Sequence, residues 1–177
     1  MKIRHLFALL VVAGVSMLAS AQPANSGLSA GEQLQLLKTN RELLEDLLDQ
    51  GTRVSDANTP LDRAAECQRS TDRLAREFRA AIERSDSDRA CEIGDHVEKI
   101  VVEGFVPNLE TARRNSKEGS PDYERVKSMH RDAAQSLDGL HGTMPKEGQL
   151  AKSKRFQQLR EKLAEASTKL GKPEKPE

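Results

Sequence analysis

Tryptophan is absent from this chain, and its aromatic complement is one tyrosine and four phenylalanines among 177 residues. Strands favour aromatic and β-branched side chains, so this scarcity argues against a sheet core. A surplus of charge is missing as well: 28 bases stand against 28 acids. That balance gives no reason to expect a nucleic-acid partner. Long apolar runs are absent beyond Leu18. The longest later cluster, Ile100-Val101-Val102, stops at Glu103, far short of the ~20 residues that span a bilayer as a helix.

Catalytic signatures are lacking too. There is no Gly-x-Ser-x-Gly elbow, no His-Glu-x-x-His pair and no phosphate-cradling glycine loop. The Cys-x-x-Cys-His motif of covalent haem is missing. So is the repeated Leu-Thr-x-x-Gln of one class of helical periplasmic chaperones. The sequence therefore nominates no catalytic, cofactor-binding or metal-binding residue, and an enzyme is not expected.

What is present begins with a leader. Met1-Lys2-Ile3-Arg4-His5 is short and positive. Leu6 to Leu18 is apolar, broken only by Gly14 and Ser16, and Ala19-Ser20-Ala21 has the small-x-small cleavage pattern. Residues 1–21 read as a secretory signal peptide cut before Gln22. The alternative is an uncleaved N-terminal anchor, which the short apolar run disfavours. Gln22 rather than a cysteine stands directly after the cut, so lipid anchoring is not supported. Residues 22–28 are expected to be flexible, 29–171 to form the helical domain, and 172–177 to be a disordered tail. The expected location is periplasmic or secreted. Without the leader's Lys2 and Arg4, the remainder has two more acids than bases.

Leucine, alanine and charged residues dominate that remainder, a bundle or coiled-coil composition. Five segments repeat apolar residues at spacings of three and four, which places them on one side of a helix. The first starts near Ala30, where Ser29 and Glu32 form a capping box. Leu37, Leu44 and Leu47 make its stripe, broadened by Leu36, Leu43 and Leu48. It ends at Gly51 or continues to Ser55. Thr59-Pro60 opens the second segment as cap and first-turn proline, with a seam of Ala64, Cys67, Thr71, Leu74, Phe78 and Ala81. Ser85 to Asp88 is a turn. The third segment carries Ala90, Ile93, Gly94, Val97, Val101 and Phe105. Pro107 should kink or break it near Gly104. Ser120-Pro121 opens the fourth, with Val126, Met129, Ala133, Leu137 and Leu140. The fifth carries Phe156, Leu159, Leu163, Ala166 and Leu170. Short connections make successive helices antiparallel. The expected fold is all-α: an up-and-down antiparallel bundle of four long helices plus an N-terminal helix.

Cys67 and Cys91 suggest a disulfide in an exported chain. A turn near Asp86 opposes it. At 1.5 Å per residue the two would be offset by ~20 Å along the hairpin, and bridged Cα atoms lie within ~7 Å. Cys67 is expected to be a small buried hydrophobe. Cys91 is expected to be partly exposed and available to a second chain. His96, His130 and His141 lack metal-ligand spacing; only Asp138-x-x-His141 has a usable step. Asn40 is a polar intrusion on the first stripe, a position able to specify register or association.

The functional expectation is an exported, non-enzymatic helical protein that binds another envelope protein as adaptor, holdase or regulator, or self-associates. The alternative is a ligand-binding bundle holding a metal or haem between helices. Two or more of Glu92, His96, His130 and Asp138 around one pocket would favour an enzyme instead.

Overall fold

The structure, a computed structural model, describes residues 29–171. The signal peptide, the 22–28 segment and the 172–177 tail lie outside the described residues. Within them every element is helical, with no strand. No helix among them is long and apolar enough to cross a membrane. The chain divides into two compact units, with the division between Asp56 and Ala57.

The first unit contributes one helix, α1 (Ala30–Asp56). Its capping box forms as the sequence predicts. The Ser29 backbone N–H donates to the Glu32 carboxylate at 2.7 Å, and the Glu32 N–H donates to the Ser29 hydroxyl at 3.3 Å. Two donors at the helix start are thereby satisfied. The helix passes through Gly51, braced by exposed ion pairs Arg41–Glu45 (2.8 Å) and Arg53–Asp49 (2.7 Å).

The stripe on α1 is the expected one only in part: Leu36, Leu43 and Leu47 are covered. The covered side follows Leu36, Asn40, Leu43, Leu47, Gln50 and Val54. Leu43 is its most buried member. Leu37 and Leu48, placed on the stripe from the sequence, are exposed. Leucines occur on two sides of this helix, both at spacings of three and four, so periodicity alone does not select the covered one.

The second unit begins with α2 (Pro60–Glu83), capped by the Thr59 hydroxyl, which accepts from the Asp62 N–H at 3.1 Å. All six predicted seam residues of α2 are buried. The turn to α3 (Ser87–Lys99) contains Ser85 at φ 57°, and the Asp86 carboxylate caps α3 by accepting from the Arg89 N–H at 3.1 Å. A π-helical segment, Ile100–Phe105, leads directly into α4 (Val106–Asn115). Ser120 caps α5 (Pro121–Gly142). A short α6 (Gly148–Lys152) and then α7 (Lys154–Gly171) complete the unit.

Where the sequence expects a kink or break near Gly104, the structure has this widened turn just ahead of Pro107. The wider turn begins before it: the Val106 N–H bonds the Val101 carbonyl, a five-residue step. A proline ring clashes with the carbonyl one turn back and supplies no N–H. A π-turn shifts that carbonyl and removes the demand for the missing donor. The Asn108 side-chain amide then donates to the Gly104 carbonyl at 2.8 Å.

Helix directions follow from pairs of contacts. A Cβ at Gly94 would sit 3.0 Å from Phe78, and one at Gly104 would sit 3.0 Å from Cys67. Residue numbers rise on one side as they fall on the other, so α2 runs against α3 and the π segment. Arg125 pairs with Asp62, and Ser136 contacts Asp72. Both numbers rise together, so α2 and α5 run parallel. Ser167 bonds Asp138, and Arg160 donates to the Pro145 carbonyl just beyond α5. That opposition makes α5 and α7 antiparallel. Between these helices Phe78, Phe105 and Phe156 are fully buried with Leu74, Leu137, Leu159 and Leu163. Three of the four aromatics that follow the leader thus form the centre of this core.

Candidate functional site

Both cysteines are free and buried. For Cys67 this is the expected place. Burial, reinforced by the neighbouring Glu66 carboxylate, pushes its thiol up to about 11. Cys91 is a correction: it is only 2% exposed, not partly open. Helix α3 is covered by α2 on one side and by α7 on another, so its buried side is wider than one stripe. Burial also raises the Cys91 thiol, opposed by the Arg155 guanidinium. The hairpin register places Cys67 against Gly104, which leaves Cys91 ~20 Å away along the helix. The thiolate is the reactive form, and both sites suppress it. Native protein is therefore expected to resist a thiol-specific dye at pH 8 and to release both thiols to it in denaturant. Rapid labelling of Cys91 in the native state would contradict its burial.

The histidines lie apart. His96 is exposed on α3, while His130 and His141 are half-buried on α5. The Asp138 carboxylate of the Asp138–His141 step accepts the Ser167 hydroxyl. Glu92 accepts from Arg89 at 3.2 Å. Among the described residues no group of three or more His, Cys, Asp or Glu side chains comes together to hold a metal. A cleft of about 350 Å³ opens where the α2–α3 turn meets the connection from α5 to α7, lined by Ile82, Ser85, Pro145 and Leu150 among others. Its lining includes none of Glu92, His96, His130 and Asp138.

His130 is nonetheless electrostatically distinct. Burial lowers its pKa, and Arg113 on α4 adds to this while Glu110 opposes it. A histidine depressed in the folded state binds its proton more readily when unfolded. Its contribution to stability is present above the ordinary value near 6.5 and is lost as pH falls through the lower folded value. Unfolding midpoints in urea should therefore fall from pH 7.5 to 5, and His130→Gln should flatten that slope. An unchanged slope in the variant would place the titration elsewhere.

The exposed large apolar side chains among the described residues lie on α1. Leu34, Leu37 and Leu48 on α1 are 55%, 65% and 51% exposed. At ~100° per residue they fall within about 60° of one another around the helix. Half-covered Leu44 lies beside them. With Arg41 they follow positions 34, 37, 41, 44 and 48, the alternation of three and four used by helix-to-helix seams. Leu34 is the member that the sequence pattern did not single out, although its three-residue step to Leu37 was the available sign. Asn40 lies on the other, covered side. On α2, Asp72 accepts the Ser136 hydroxyl at 3.5 Å, and burial raises its carboxyl against the pull of Ser136, Arg76 and Arg79.

Compared with known proteins, the chain matches no family model, no curated protein and no solved structure at a significant level.

Proposed function

We propose that the chain is an exported, non-enzymatic helical protein that binds a helix of another envelope protein, as an adaptor, holdase-like factor or regulator. The leader of residues 1–21 is removed before Gln22. An up-and-down antiparallel bundle of four long helices provides the stable body, with α1 as the recognition element. The observation that carries this reading is the exposed leucine side of α1, formed by Leu34, Leu37 and Leu48. Scattered exposed apolar residues need no explanation, but aligned ones mark association surfaces. Amphipathic helices recognise partners through apolar anchors at these spacings. The charged remainder of α1 keeps the helix soluble until it docks.

The test is affinity capture from the native envelope with the mature chain as bait, beside a variant carrying Leu34→Gln, Leu37→Gln and Leu48→Gln. A protein recovered by the first and lost by the second supports the reading. Equal recovery by both would remove it. The intact mass of the periplasmic form, starting at Gln22, tests export in the same preparation.

A further inference from the structure

The leucine side of α1 has two unlike edges. Leu34, Leu37, Arg41, Leu44, Leu48 and Gly51 follow one another along its centre. At ~100° per residue, Lys38 and Glu45 fall on one edge, and Gln33 and Asn40 fall on the other. Lys38 and Glu45 are both exposed. One edge therefore carries a base and an acid seven residues apart, while the other is uncharged.

We propose, resting on the reading of this side as an association surface, that in the isolated protein it is covered by a second copy of this chain, whose α1 lies antiparallel on the first. A partner helix has to displace that copy, so self-pairing sets the threshold for docking. One alignment serves all six central positions. Leu37 lies opposite Leu48 of the second copy, Arg41 opposite its Leu44, and Leu34 over its Gly51, and a two-fold axis repeats each contact. In an antiparallel pair each edge meets the same edge of the other helix. Lys38 then comes beside Glu45 of the second copy, and Glu45 beside its Lys38. Charge pairs at such flanking positions set the partner and the orientation. Arg41 fits the same alignment. Glu45 on its own helix already draws the Arg41 guanidinium aside at 2.8 Å, and the carbon stem is left to cover the leucine opposite. Parallel pairing fails on both counts: it sets Arg41 against Arg41 at the centre, and the charged edge against the uncharged one. The seam from Leu34 to Gly51 is ~26 Å long, short enough for the dimer to be reversible.

The test is sedimentation equilibrium of the mature protein across roughly 1–100 μM. A monomer–dimer equilibrium is expected, and it should vanish in the Leu34→Gln, Leu37→Gln, Leu48→Gln variant. Lys38→Glu or Glu45→Lys alone places like charges together twice and should raise the dissociation constant about tenfold. The two changes together exchange the charges and should restore the dimer. Circular dichroism of each variant checks that α1 stays helical. A dimer indifferent to the charge changes, or one weakened by both without rescue, would overturn the antiparallel pairing. A monomer at every concentration would overturn the proposal outright. If that monomer still captures an envelope protein through the same leucines, the side serves a foreign helix alone and the functional reading stands.

Discussion

Phe78→Ala is expected to lower the unfolding free energy by about 3–5 kcal/mol. Phe78 is completely buried on the α2 seam. Its ring reaches the backbone of α3 at Gly94, and Leu159 of α7 meets the same glycine. Three helices therefore converge on the space the ring fills. Truncation leaves a cavity there, and Gly94 has no side chain with which to fill it. Deleting a buried aromatic forfeits both its transfer free energy and the contacts around the void. Urea unfolding followed by circular dichroism measures the effect, with the slope against denaturant unchanged. A loss below about 1 kcal/mol would mean that Phe78 is not at the centre of the core.

Gly94→Val should cost about 3 kcal/mol, against the direction that helix propensity alone would give. A Cβ at this position would overlap one Leu159 methyl and lie 2.9 Å from the other and 3.0 Å from the Phe78 ring. Those methyls end a flexible side chain, but Leu159 is 1% exposed and can move only against the surrounding core. The strain passes to the spacing between α3 and α7. Charge pairs on that boundary, from Arg155 and Lys162 to Asp95 at 3.4 Å and 3.1 Å, would hold the helices only weakly, since exposed pairs contribute about 0–1 kcal/mol each. Adding Leu159→Ala to the valine variant vacates the contested space. The two changes should cost less together than the sum of their separate costs. Simple additivity, or a stabilised Gly94→Val protein, would place the close approach elsewhere.

These two residues also show where sequence stops informing structure. Phe78 was legible: it stands in an unbroken alternation of three and four from Ala64 to Ala81, and all six of those positions are buried. The caps were legible for a related reason. Thr59-Pro60 and Ser120-Pro121 carry local chemistry that works wherever the helix goes. Gly94 was placed on the correct stripe, but its need for a bare Cα depends on how near α7 comes. Cys91 was misjudged because a helix covered from two sides buries positions beside its main stripe. The π segment was hidden for another reason. Pro107 announced a disturbance, but the remedy, a five-residue hydrogen-bond step ahead of the proline, leaves no pattern of its own in the sequence. On α1 two leucine-bearing sides compete, and the pattern took in members of both.

That last ambiguity has functional weight. Two leucines that the sequence assigned to a buried stripe, Leu37 and Leu48, help to define the proposed recognition surface together with Leu34. Among the described residues, no large apolar side chain outside α1 is exposed to rival it.

Site-specific photo-crosslinking in living cells tests this most directly. A photoreactive phenylalanine analogue replaces Leu37 in one strain and Arg131, exposed on α5, in another. The account predicts a discrete crosslinked product, containing a second envelope protein, from position 37 and none from position 131. No product from position 37, or the same product from both positions, would contradict the claim that the leucine side of α1 is where this protein binds.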